Sequence, residues 1–192
     1  SGRYVLCFNG EIYNYIELRH ELAAAGCQFR TDSDTEVMIE AFRIWGEAAL
    51  LRFDGMFAGA LYDKTTQKTL LFRDPLGQKP LYYSIEGSRL VFASEMAAIM
   101  GLSDIPKNLD RAAFGRFLLN GYYTLGESPL EGVRKLLPGH VLTFESGRPA
   151  GRRYWHSRPG DGNGPVDEND ALDTIERLLA RSCERTMRSD VP

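Results

Sequence analysis

The sequence predicts an α+β fold in which an antiparallel, strand-rich block is bracketed by helical segments. Three observations carry that expectation. Two helix patterns with capping signals lie between residues 14 and 45. Short runs of strand formers joined by tight turns fill residues 56–93. Helical spacing then returns ahead of a last pair of strands near residues 139–155.

Tyr4-Val5-Leu6-Cys7-Phe8 is an apolar run of strand formers, read as ending at the turn signal Asn9-Gly10. Asn14 with Glu17 resembles a capping box. Tyr15, Leu18 and Leu22 then recur at helical spacing, and Gly26 suits the helix end. Ser33-x-x-Glu36 is a stronger box, opening a helix whose apolar face is Val37, Met38, Ala41, Phe42 and Trp45. Residues 56–62 and 69–72 read as strands around a turn at 63–67. Residues 81–84 and 90–93 read as a hairpin around Glu86-Gly87, followed by helices near 95–100 and 109–119. Residues 139–144 and 152–155 complete the strands.

Residues 157–168 hold Gly160, Gly162, Gly164, Pro159 and Pro165 and almost nothing apolar, which reads as a linker. Leu172, Ile175, Leu178, Leu179, Cys183 and Met187 then form an amphipathic stripe. The organisation expected is one domain over 1–156, a linker over 157–168, and the first helix of a second domain over 169–192.

The chain has 192 residues, 43% apolar and 26% charged, as in ordinary globular proteins. Its net charge is −3 and no basic stripe forms, which argues against a nucleic-acid partner. No apolar run is long enough to cross a bilayer, and Ser1-Gly2-Arg3 leads into a strand pattern rather than a signal peptide. Cys7, Cys27 and Cys183 are odd in number and widely spaced, which points to a reducing cytoplasm rather than disulfides or zinc. Cys7 and Cys27 read as core thiols. His20, His140 and His156 show no metal spacing, and His140 reads as a strand-entry residue.

Chemistry is suggested first by Asn9-Gly10-Glu11-Ile12-Tyr13-Asn14-Tyr15. A side-chain amide and a backbone N–H at a strand end can supply the two donors of an oxyanion hole, and glycine admits a substrate close to the backbone. Asn-Gly alone is equally an ordinary turn. Asp34 sits where a helix dipole keeps a carboxylate ionised, either to bind a substrate ammonium or simply to cap the helix. A calcium loop over this stretch fails, because its twelfth position is Arg43 rather than Glu. Arg73-Asp74 reads as a buried ion pair that fixes the Pro75–Gly77 turn, and Ser94 as a cap for the next helix.

The ordered set Phe8–Tyr15, Ser33-Asp34-Thr35-Glu36, Gly55-Met56-Phe57-Ala58, Arg73-Asp74-Pro75-Leu76-Gly77, Ala93-Ser94-Glu95, Leu137-Pro138-Gly139-His140 and Arg188-Ser189-Asp190-Val191-Pro192 resembles glutamine-hydrolysing asparagine synthetase. The resemblance implies a four-layer αββα sandwich of antiparallel sheets, the N-terminal-nucleophile type, incomplete here at its N-terminus. It implies that a cysteine thiol attacks glutamine, with its own α-amine as base. It assigns Asn9 and Gly10 to the oxyanion hole, and Glu11 and Asp34 to the glutamine α-amino group. It further implies that ammonia passes to a second domain, where ATP and Mg2+ activate an aspartate carboxylate. No cofactor is expected on these residues, and the parent is expected to be a cytoplasmic homo-oligomer.

No cysteine stands at residue 1, so this polypeptide alone is expected not to hydrolyse glutamine. Glutaminase activity lost on substituting Cys7 would overturn that expectation. Two alternatives remain at this level. The parent could amidate another carboxylate, such as a sugar acid or a peptide carboxylate, or the chain could be a non-catalytic binding module that keeps the fold.

Overall fold

A computed structural model describes residues 2–124, 126–157 and 167–187. The Gly160/Gly162/Gly164 part of the expected linker and the motif Arg188–Pro192 lie outside these residues.

One sheet has the order β1-β2-β3-β7-β8, formed by Tyr4–Ile12, Gly55–Asp63, Lys68–Arg73, His140–Glu145 and Arg148–Arg153. A second has the order β5-β4-β6, from Arg89–Ala93, Tyr82–Glu86 and Val133–Lys135. Helices α1 (Tyr15–Ala24) and α2 (Asp34–Trp45) pack on the outer face of the first sheet. Helices α3 (Met96–Met100) and α4 (Arg111–Asn120) follow the second sheet in the chain, and α5 (Glu168–Thr186) comes last.

Strand alternation builds the layers. Phe57, Leu61, Leu70, Phe72 and Val141 point to Leu18, Leu22, Val37, Met38 and Phe42 of the helices. Ala58, Ala60, Leu71 and Leu142 point the other way, to Leu81, Leu136, Tyr83 and Phe92 of the second sheet. On that sheet's far side Val133 meets Ile99, Ile105 and Leu130. Phe53 meets Phe42 and Phe57 edge-on, with ring centroids 5.8 Å apart in both pairs, and each such pair adds about 1 kcal/mol beyond its burial. The expected sandwich of two antiparallel sheets stands.

Ser33 caps α2, its Oγ accepting from the Thr35 amide at 3.1 Å. Glu36 does not return to Ser33 as a capping box would. It accepts from the Arg30 and Thr31 amides at 3.0 and 2.8 Å and so fixes the approach to the helix. Asn14 likewise caps nothing with its side chain. Its carboxamide donates to the Arg52 carbonyl and accepts from the Asp54 amide, both at 2.9 Å, which clamps the end of β1 to the start of β2.

Several expectations change. β1 does not end at Asn9-Gly10 but runs on to Ile12, because Gly10 pairs with Phe57 and Glu11 with Met56. β8 begins at Arg148 rather than near residue 152. The 3-10 turn Gly46–Leu51 and strand β6 had no expectation at all. Cys27 is buried as expected, but Cys7 is exposed, since it lies on the face of edge strand β1 opposite the helices, where Val5, Asn9 and Glu11 are exposed as well.

Glu47 joins the 3-10 turn to the sheet, pairing with Lys68 at 2.9 Å and with Arg152 of β8. Burial alone would raise its carboxyl pKa, but the hydrogen bonds from the two cations outweigh burial and hold it below the usual range. A carboxyl depressed in the folded state adds stability above its unfolded pKa of about 4.3, and that contribution is lost as pH falls through the folded value. Glu47→Gln is therefore expected to flatten the acid limb of stability below about pH 5 in urea unfolding at stepped pH.

Candidate functional site

The structure gathers the expected site residues at the rim of β1. Asn9 and Glu11 share its exposed face with Cys7, two residues apart along the strand. Gly10 is held differently. Its φ is +143°, and a Cβ there would lie 2.0 Å from the Met56 carbonyl oxygen. No side chain fits without opening the ladder. Gly10→Ala is expected to cost about 3 kcal/mol or more, read as a lower denaturation midpoint with an unchanged m-value.

The ladder also fixes where the Gly10 amide points. Phe57, its partner, uses its N–H and C=O on the other side, donating to Asp74 Oδ2 at 3.3 Å and accepting from the Asp74 amide at 2.7 Å. The Tyr13 amide donates to Asp54 and the Lys64 amide to Arg3. This pattern makes the even-numbered residues of β1 the non-hydrogen-bonded members of each pair. The amides of Gly10 and Ile12 therefore face the open edge. Asp34 proves the direction, since its Oδ2 accepts the Ile12 amide at 3.1 Å. Its Oδ1 accepts from Thr35 Oγ1 at 3.2 Å. A bond between residues 22 apart, Ile12 and Asp34, thus places two carboxylates, Glu11 and Asp34, beside one strand end.

Behind β2 sits the Arg73-Asp74 turn. Both residues are buried, at 5% and 0% exposure, yet the expected ion pair does not form. Arg73 donates to the carbonyls of Gly77, Lys79 and Leu136 at 2.5–2.6 Å. Asp74 accepts from the amides of Phe57, Leu76, Gln78 and Lys79 at 3.0–3.3 Å. Adjacent residues leaving a strand point to opposite sides, so each serves the backbone it faces. Burial lowers the Arg73 pKa and the nearby Asp74 charge opposes that shift. Tyr154 completes the support, its hydroxyl donating to the Arg73 carbonyl at 2.8 Å, and burial pushes that phenol well above its usual range.

Ser94 differs from its expected role. The N-cap of α3 is Glu95, with no side-chain cap bond. Ser94 Oγ instead accepts from Asn9 Nδ2 at 3.0 Å, across from the second sheet. Sequence reasoning singled out Ala93-Ser94-Glu95 but had no local signal for a contact 85 residues away. His140 opens β7 as expected, its Nδ1 2.8 Å from the Pro138 carbonyl.

A cavity of about 590 Å³ lies elsewhere, between the Asp74 turn and α5, where Arg185 pairs with Asp54. Asn9, Gly10, Glu11 and Asp34 do not line it. The rim of β1 thus offers donors and carboxylates along an open edge and lies outside that cavity. Among the described residues no three His, Cys, Asp or Glu gather as a metal site, and no helix is long and apolar enough to cross a membrane.

The chain is 35% identical over 190 residues to asparagine synthetase [glutamine-hydrolyzing] 3 of Bacillus subtilis, covering 98% of this chain and 31% of that protein. It is also 35% identical over 196 residues to a putative asparagine synthetase [glutamine-hydrolyzing] of Mycobacterium tuberculosis, covering 98% of this chain and 30% of that protein. The chain thus spans under a third of the length of these relatives. In fold it is similar to the glutamine phosphoribosylpyrophosphate amidotransferase of B. subtilis, with TM-score 0.56 and 23% identity over 80% of this chain and 30% of that one. The profile of the glutamine amidotransferase domain matches residues 1–155, and the chain belongs to that family.

Proposed function

We propose that these residues form part of the glutamine-hydrolysing half of an asparagine synthetase-type amide ligase. The observation that carries the reading is the shared rim of β1, where the Gly10 amide faces the open edge and Asp34 meets the Ile12 amide at 3.1 Å. A thiol upstream of Ser1 in the full-length protein attacks the side-chain carbonyl carbon of glutamine. The carbonyl oxygen takes on negative charge, and Asn9 Nδ2 and the Gly10 amide are the donors that stabilise it. Glu11 and Asp34 hold the α-ammonium, which selects a free amino acid over a peptide. Ammonia leaves, and water releases glutamate from the thioester.

Residues 169–192 open a second domain in this reading. There ammonia would meet an aspartate carboxylate activated with ATP and Mg2+. Among the described residues no three His, Cys, Asp or Glu gather to hold that metal ion. The free state of all three cysteines supports a cytoplasmic setting, and the exposed face of β1 supports self-association of this part of the chain when it is separated from the rest of the protein.

The test is an assay of the purified full-length protein. Release of glutamate and ammonia from glutamine, with asparagine formed when aspartate, ATP and Mg2+ are added, supports the reading. Glutamate release without asparagine moves the acceptor to another carboxylate, and no glutamate release ends the proposal.

A further inference from the structure

We infer that Ser94 is a positioning residue that aims the Asn9 carboxamide. The inference rests on the glutaminase reading above and adds a residue to it. Asn9 lies on the exposed face of an edge strand, where its two side-chain torsions are free to rotate unless something holds them. The residues beside it on that face, Cys7 and Glu11, do not bond to it among the described contacts. The partner comes from the other sheet. Ser94 follows the end of β5, leaves the cap of α3 to Glu95, and accepts one Asn9 N–H at 3.0 Å.

That bond constrains the other half of the group. A carboxamide nitrogen carries two hydrogens in one plane, about 120° apart. Once Ser94 Oγ holds the first, the second has a fixed direction and remains for an acceptor at the rim. A donor aimed in advance needs no reorganisation as charge develops, so its benefit falls in the transition state rather than in ground-state binding. Ser94 also ties the two sheets together at the site, so the loop after β5 sets the aim of a group on β1.

The experiment is a double-mutant cycle on the full-length protein with glutamine as substrate. Ser94→Ala is expected to lower kcat for glutamate release about 10-fold, the value of one neutral hydrogen bond, with KM changed less than about 2-fold. Ser94→Thr, which keeps the hydroxyl, is expected to restore kcat to within about 3-fold. In an Asn9→Ala background, Ser94→Ala is expected to have no further effect, because the group it aims is gone. An unchanged kcat in Ser94→Ala, or an equal loss in both backgrounds, overturns the inference while leaving the glutaminase reading in place. An unchanged kcat in Asn9→Ala overturns the oxyanion assignment itself and this inference with it.

Discussion

Asn9→Ala in the full-length protein is expected to lower kcat for glutamine hydrolysis about 10²- to 10³-fold, with KM for glutamine nearly unchanged. The size follows from what the side chain does. In the proposed mechanism it supplies a hydrogen bond to an oxygen that becomes charged only as the thiol attacks, at a site where a fixed donor is worth more than water. In the proposed mechanism the ground-state substrate is held mainly at its other end, by Glu11 and Asp34 on the α-ammonium. Substituting those carboxylates is expected to raise KM first. Steady-state kinetics on the variants separates the two effects, and a rise in KM without loss of kcat in Asn9→Ala would remove Asn9 from the oxyanion hole.

Asp74→Ala carries the second large effect, on stability. Asp74 is fully buried and accepts from four backbone amides. Alanine leaves those amides without an acceptor where water has poor access, at about 1–3 kcal/mol for each that stays unpaired. Some relaxation is certain, so a total loss of about 4 kcal/mol or more is expected, against about 5–15 kcal/mol for a whole domain. Asp74→Asn should fall between, because one carboxylate oxygen becomes an NH2 group facing donors. Equilibrium denaturation measures both. The loss should also reach the site, since Phe57 anchors on Asp74 with its N–H and C=O and stands opposite Gly10.

The sequence disclosed the elements whose signals are local. Helix α2 was legible from Ser33 and the spacing of Val37, Met38, Ala41 and Phe42, all of which are buried. The hairpin β4–β5 was legible from Glu86-Gly87 between strand formers. Elements set by distant partners were not. Asn9-Gly10 has the local chemistry of a turn, and only pairing with Met56 to Ala58 keeps it extended. β8, with Pro149, Gly151 and three arginines, is exposed throughout and has no apolar alternation to read. Arg73-Asp74 looked like a pair because the charges are adjacent, although the strand turns them to separate backbone carbonyls and amides.

The site divides in the same way. Asn9, Gly10, Glu11 and Asp34 could be named from the ordered motifs and the resemblance they carry. The bonds that assemble them, Asp34 to Ile12 and Ser94 to Asn9, span 22 and 85 residues and leave no trace in any window of sequence. The direction of the Gly10 amide needed the register of β1 on β2 and the bonds of Phe57 to Asp74 on its far side.

The most direct test of the account is a crystal structure of the full-length protein with glutamine bound. The account predicts the side-chain carbonyl oxygen about 3 Å from Asn9 Nδ2 and from the Gly10 amide, with the α-ammonium between Glu11 and Asp34. Glutamine bound away from the rim of β1, or bound there with its side-chain amide turned from Asn9 and Gly10, would contradict it.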